Sequence, residues 1–127
     1  MSARILLVED NEANRYLATF LLENSGHRVL HAGNGREAVI AAQNELPDLI
    51  LMDIQMPEVD GYEAARRIKS EPHLAHIPIV AVTSYAMPGD REKAERAGFV
   101  GYLEKPIVTE MFVSAITRFL PGKAPRA

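Results

Sequence analysis

An α/β fold, with parallel strands alternating with helices, follows from three observations on this 127-residue chain. Ile5-Leu6-Leu7-Val8, Leu49-Ile50-Leu51-Met52 and Ile79-Val80-Ala81-Val82 are wholly apolar runs of strand length, as expected of strands buried on both faces. Between them lie segments with helical spacing of apolar residues, punctuated by Gly, Pro and Asn. Alternation of this kind implies a parallel sheet covered by helices on both faces, within one domain.

The first strand, residues 5–8, stops abruptly at Glu9-Asp10-Asn11. Asn11 is placed to cap a helix whose apolar residues Ala13, Tyr16, Leu17, Phe20 and Leu21 predict its core face, and Gly26 ends it. Arg28 to Ala32 is a more polar strand, expected at a sheet edge. Gly33-Asn34-Gly35 is a turn, with Asn34 positioned to cap an alanine-rich helix reaching about Glu45. The Leu49–Met52 strand runs into Asp53, and Pro57 with Gly61 marks a loop before a helix from about Tyr62 to Lys69. Glu71-Pro72 breaks that helix, and a linker through Pro78 leads to the fourth strand. Thr83 to Gly89 reads as a loop, and the helix from Asp90 to Ala97 is charged, with little apolar stripe beyond Ala94 and Ala97. Gly98 stops it, Gly101-Tyr102-Leu103 is a short edge strand, and Lys105-Pro106 interrupts the chain. The last helix runs to Leu120 with Phe112, Ala115, Ile116 and Phe119 on one stripe, and residues 121–127 have the composition of a tail.

Composition narrows the function classes. Hydrophobic content of 47% and charged content of 24% are ordinary for a soluble globular protein. A net charge of −3, with Lys and Arg scattered, provides no electrostatic footprint for nucleic acid. The chain has no cysteine, so disulfides and thiolate metal sites are out, and a reducing cytoplasm is the expected location. The first apolar run is too short for a signal peptide, and no segment approaches the roughly 20 apolar residues of a membrane helix.

The chemistry converges at the carboxyl ends of the strands, the rim where open α/β sheets bind ligands. Strand one is followed by Glu9-Asp10, strand three by Asp53, strand four by Thr83 and strand five by Lys105. Three adjacent carboxylates repel one another and need a cation. Oxygen donors without His or Cys suit a hard ion, and few carboxylates with room for water suit magnesium. A lysine and a hydroxyl beside the metal are the groups that stabilise a transferring phosphoryl. The residues therefore read as a magnesium site with an aspartate able to accept phosphate.

Taken together and in order, Val8-Glu9-Asp10-Asn11, Asp48 to Asp53, Met56-Pro57, Gly61, Val82-Thr83 and Lys105-Pro106 give the chain its resemblance to the response-regulator receiver domain of two-component signalling, over residues 4–120. The resemblance implies a flavodoxin-like (βα)5 fold with strand order 2-1-3-4-5. It implies Asp53 as phosphoacceptor. Asp10, Asp53 and the backbone carbonyl of Gln55 would bind Mg2+, with Mn2+ as a substitute, and Glu9 would hold a metal-bound water. Thr83 and Lys105 would contact the phosphoryl oxygens, the Lys105–Pro106 peptide would be cis, and Tyr102 would match an aromatic switch position. Gln55 and Tyr85 fall at variable positions near the site that tune dephosphorylation in the family. The implied partners are a sensor histidine kinase or histidine phosphotransfer protein and a downstream protein. DNA and membrane binding are not implied, and the unit is expected to be monomeric. Within the family, Pro47 to Glu58 and His76-Ile77-Pro78 with the fourth strand resemble DivK-type single-domain cell-division regulators; receiver modules of hybrid histidine kinases carry similar strings.

Plainer readings stand beside these. His73 and His76, three apart in a Pro-bounded linker, read as surface histidines rather than a metal pair, and His27 and His31 as ordinary strand-end residues. Gly33-Asn34-Gly35 lacks the rest of a dinucleotide fingerprint and follows the wrong strand. The charges from Asp90 to Arg96 read as a solvated helix face, and Tyr102 also fits a packing role. Two other function classes fit less well. A phosphoaspartyl phosphohydrolase of the haloacid-dehalogenase kind would carry an aspartate where Gln55 stands, and a cap domain. A flavodoxin-like flavin binder would need a phosphate-cradling loop where Glu9-Asp10 repels phosphate.

Overall fold

The computed structural model describes residues 3–54, 61–83, 88–104 and 109–120. Strand and helix alternate as β1 (Arg4–Val8), α1 (Glu12–Asn24), β2 (Arg28–Ala32), α2 (Gly35–Glu45), β3 (Leu49–Asp53), α3 (Gly61–Lys69), β4 (Ile79–Thr83), α4 (Asp90–Ala97), β5 (Gly101–Glu104) and α5 (Thr109–Phe119). The strands form one sheet in the order β2-β1-β3-β4-β5, and each pair is parallel. The more polar β2 and β5 occupy the two edges, and the three wholly apolar strands lie between them.

The apolar runs are explained by the pleat, which sends successive side chains to opposite faces of a sheet. Leu6, Val8, Ile50, Met52, Ile79 and Ala81 join one buried cluster with residues of α2, α3 and α4. Ile5, Leu7, Leu49, Leu51 and Val80 join a second with residues of α1 and α5. Burying a side chain of this size fully contributes roughly 1.5–3 kcal/mol. Alternate residues bury on different layers, so a polar residue at any position from Leu49 to Met52 would disrupt one of them.

Helix starts follow the predicted caps. The Asn11 side chain accepts a hydrogen bond from Asn14 N at 2.9 Å, and Asn34 from Glu37 N at 2.9 Å. Glu37 Oε1 in turn accepts from Gly33 N at 2.8 Å, closing the turn that precedes α2. Gly98 caps the end of α4 in the left-handed conformation at φ 101°.

Two expectations change. The core face of α1 is Ala18, Leu21 and Leu22, whereas Tyr16 and Phe20 are 75% and 55% exposed and Leu17 faces solvent too. Leu21, expected on the core face, is buried there; it stands between two apolar stripes of the same period, 13-16-17-20 and 18-21-22, and hydropathy does not choose between them. Ala18 lets the helix lie close to the sheet, which the bulkier stripe prevents, and the second stripe is buried. The linker before β4 is also more than a connection. Its turns bury Leu74 and Ile77 completely in the α2–α4 layer. Lys69 closes it, donating from Nζ to the carbonyls of Ala75 at 2.9 Å and Ile77 at 2.6 Å. Burial holds the Lys69 ammonium below its ordinary pKa.

His73 and His76 lie exposed in this linker. His27 Nδ1 accepts from Ala3 N at 3.2 Å and His31 Nε2 pairs with Thr19 Oγ1 at 3.0 Å, both structural contacts. Among the described residues no helix is long and apolar enough to cross a membrane.

Candidate functional site

The carboxyl rim of the sheet is built by strand register. Val8 pairs with Met52, which places Glu9 and Asp10, just beyond β1, beside Asp53 at the end of β3. Asp53 pairs with Val82, so Thr83 ends the adjacent strand one step further on. Ile54 N donates to Val82 O at 3.1 Å, which carries the β3–β4 ladder past Asp53. Glu9 N likewise donates to Ala32 O at 3.1 Å, holding the residue after β1 against β2. Because main-chain bonds continue beyond the strands, the site residues leave the sheet in set directions.

One carboxylate oxygen from each of Glu9, Asp10 and Asp53 lies within 4.8 Å of the other two. Among the described residues this is the only such trio of metal-ligating side chains. Glu9 and Asp53 are buried and Asp10 is exposed, so the cluster opens to solvent on one side. Two buried like charges at this spacing raise the free energy of the folded chain unless a cation or hydrogen bonds balance them. Asn11 N supplies part of that balance, donating to Glu9 Oε2 at 3.2 Å. Arg15 Nη1 reaches the Glu9 backbone oxygen at 3.5 Å, and the first turn of α1 thereby braces the acidic loop. Below the carboxylates a narrow apolar cleft is lined by Leu7, Ala18, Leu51, Val82 and Phe112. Thr83 is completely buried.

Gly61 closes the back of the site. A Cβ there would lie 2.7 Å from Ile54 Cα and 2.8 Å from the Asp53 carbonyl oxygen. The first residue of α3 thus rests on the peptide of Asp53 itself, a contact that only glycine permits. Read from the sequence, Gly61 marked a loop end; its pressure on Asp53 became visible only with the strand and helix together. Asp48, in the same motif as Asp53, lies at the opposite end of β3 and accepts from Arg4 N at 2.8 Å.

Tyr102 lies on β5 opposite Ala81 of β4, two positions before the level of Thr83, and packs partly buried against the α2–α4 layer. Its hydroxyl is buried. That burial, then the negative charges of Asp90 and Glu104, raises the phenol above its ordinary pKa. Arg91 Cζ stands 5.0 Å from the ring centroid. The charged face of α4, expected to be merely solvated, therefore makes specific contacts, and Lys93 Nζ likewise lies 4.3 Å from the ring centroid of Tyr62. Gln55, Lys105, the Lys105–Pro106 peptide, Met56-Pro57, Tyr85 and the 121–127 tail all lie outside the described residues.

A parallel sheet in this order with an acidic trio at its carboxyl rim is the architecture of two-component receivers, and the chain belongs to the response regulator receiver domain family, matching it over residues 5–117. Membership makes it a signalling phosphoacceptor, with a histidine kinase as the implied phosphodonor. More particularly, it is a DivK-like regulator: it is 43% identical over 120 residues to the polar-differentiation response regulator DivK of Brucella anthropi, an alignment covering 94% of this chain and 98% of the relative. DivK of Brucella ovis is 42% identical with the same coverage. Among solved structures, the receiver domain of the sensor histidine kinase PA1611 from Pseudomonas aeruginosa superimposes with a TM-score of 0.86 at 37% identity, over 94% of this chain and 98% of that one. That structure has a magnesium ion coordinated in its active site cleft. The Vibrio cholerae chemotaxis protein CheY4 superimposes with a TM-score of 0.89 at 28% identity, over 94% of this chain and all of the other.

Proposed function

We propose that Asp53 accepts a phosphoryl group from a sensor histidine kinase or a histidine phosphotransfer protein, and that a downstream protein reads the result on the face formed by α4, β5 and α5. The observation that carries this is the carboxylate trio of Glu9, Asp10 and Asp53, with Thr83 ending the neighbouring strand. The donor set is oxygen only, which fits a hard divalent cation that keeps several waters. Asp10, Asp53 and the Gln55 carbonyl would hold Mg2+, or Mn2+ in its place, and Glu9 would hold a water bound to it. When bound, the ion neutralises charge on the phosphoryl oxygens.

The protein's own groups do the rest. A carboxylate oxygen of Asp53 forms the new O–P bond as the P–N bond of the donor phosphohistidine breaks. Phosphorylation adds about −1.5 to −2 charges at pH 7. Thr83 and Lys105 bind the added oxygens, and the Lys105–Pro106 peptide is expected to be cis. Movement of Thr83 changes the space beside Tyr102, whose ring turns inward and alters the α4 face. Phosphate acts through its preference for one of two arrangements. Residues 1–120 form this receiver unit, with 121–127 as a tail. It works in the cytoplasm as a monomer, without contact to DNA or membrane.

Incubation with acetyl phosphate and magnesium is expected to add one phosphate, detected by intact-protein mass spectrometry. Asp53→Asn is expected to abolish it. Stable phosphate on that variant would move the acceptor elsewhere.

A further inference from the structure

We propose that Tyr62 and Lys93 form a second link between the phosphoacceptor and α4, independent of Thr83 and Tyr102, and act as positioning residues of the switch. The inference rests on the receiver reading above and specifies a route within it.

The link begins at Asp53. Gly61 approaches the Asp53 carbonyl and Ile54 Cα so closely that no Cβ fits between them. The start of α3 is therefore referenced to the acceptor's own peptide, and a displacement there is passed to Tyr62, the next residue. The Tyr62 ring is buried at 7% exposure and stands edge-on to Phe99, with centroids 6.1 Å apart and planes at 87°. Phe99 follows directly on the glycine cap of α4, and its N–H bonds back to Ala94 O at 3.0 Å. Lys93 Nζ lies 4.3 Å from the Tyr62 centroid, within the range of attraction to the ring face. Tyr62 thus touches both the body of α4 and the residue that follows its glycine cap.

The second observation concerns how α4 is held. Its buried side chains are Ala94 and Ala97 alone, a thin apolar contact for a helix of 8 residues. Arg91 and Lys93 are two positions apart, so they leave the helix roughly 200° apart. One reaches Tyr102 on β5 and the other Tyr62 on α3. The helix is therefore gripped from both flanks by a cation over a tyrosine. One grip reports on β5 and the other on the end of β3, so α4 receives the state of the acceptor by two routes.

Backbone NMR with and without the phosphate mimic beryllofluoride plus magnesium tests this. In the wild type, amides of residues 90–97, Thr83 and β5 are expected to shift. In Tyr62→Leu and in Lys93→Gln, the shifts in 90–97 are expected to lose a substantial part of their size, the part carried by this route, while those at Thr83 and β5 stay full. Tyr62→Phe and Lys93→Arg, which keep ring and cation, are expected to respond as the wild type does and so exclude a general packing defect. The double variant Tyr62→Leu/Lys93→Gln is expected to lose no more than either single one. Full α4 shifts in either single variant, or losses that add in the double one, overturn the link. Absence of any wild-type shift at Thr83 removes the receiver reading, and the link falls with it.

Discussion

A methyl group at position 61 would press on the peptide that carries Asp53, which makes Gly61→Ala a local test of the site. Forcing an extra carbon into a packed contact costs about 1–3 kcal/mol. The variant is expected to unfold at correspondingly lower denaturant and to accept phosphate more slowly, since the acceptor peptide must shift. Wild-type stability and rate would show that the contact yields without cost. Tyr102 offers a test by pH. Its phenol titrates above the ordinary value of 10.0 because of burial, with Asp90 and Glu104 adding to the effect. A raised pKa stabilises the folded chain fully below the unfolded value, and the contribution is lost as pH climbs through the folded one. Thermal melts of Tyr102→Phe across this alkaline range are expected to fall less steeply than those of the wild type; parallel curves would remove the assignment. Residues of the two kinds differ in how legible they are. Glu9, Asp10 and Asp53 announce themselves because each interrupts or ends an apolar run with a charge. Gly61 pressing on Asp53 and Lys93 over Tyr62 are meetings of distant segments, and no local pattern marks them.

At the level of elements, α1 separates the two kinds of apolar residue most clearly. Leu22 is fully buried, and Leu22→Ala is expected to cost about 2–5 kcal/mol. Phe20 is more than half exposed, and Phe20→Ala is expected to stay within about 0.5 kcal/mol of the wild type. Denaturant titration of the two variants checks the assignment, and a reversed order would show that the other stripe is the core. The existence of the helix, its Asn11 cap and its end at Gly26 were all legible in the sequence, because each rests on a residue's own hydrogen-bonding or backbone preference. Its rotation was not, because both stripes have helical period and only the distance to the sheet decides between them. The linker before β4 shows the same limit. Leu74 and Ile77 sit among His, Pro and Ala with no strand or helix period, and their burial depends on the turns that Lys69 closes. Strand order at the edges, by contrast, could be read from polarity, since β2 and β5 have one side open to water.

For the molecule as a whole, the site is a property of the assembled sheet. Glu9 and Asp10 follow the first strand, Asp53 ends the third and Thr83 the fourth, and only the pairings of β1 with β3 and β3 with β4 bring them together. No single βα unit contains a cation pocket. Phosphate incorporation from acetyl phosphate in increasing urea is expected to fall along the same curve as the folded fraction seen by circular dichroism. Incorporation that outlasts the fold would mean that Asp53 reacts without its neighbours. The parallel connection has a further consequence, since it forces the chain to travel over a helix before each new strand can pair. Asp53 is synthesised well before Thr83, its neighbour across the β3–β4 pair, so the residues of one site enter the molecule at different times and meet only when the strands pair.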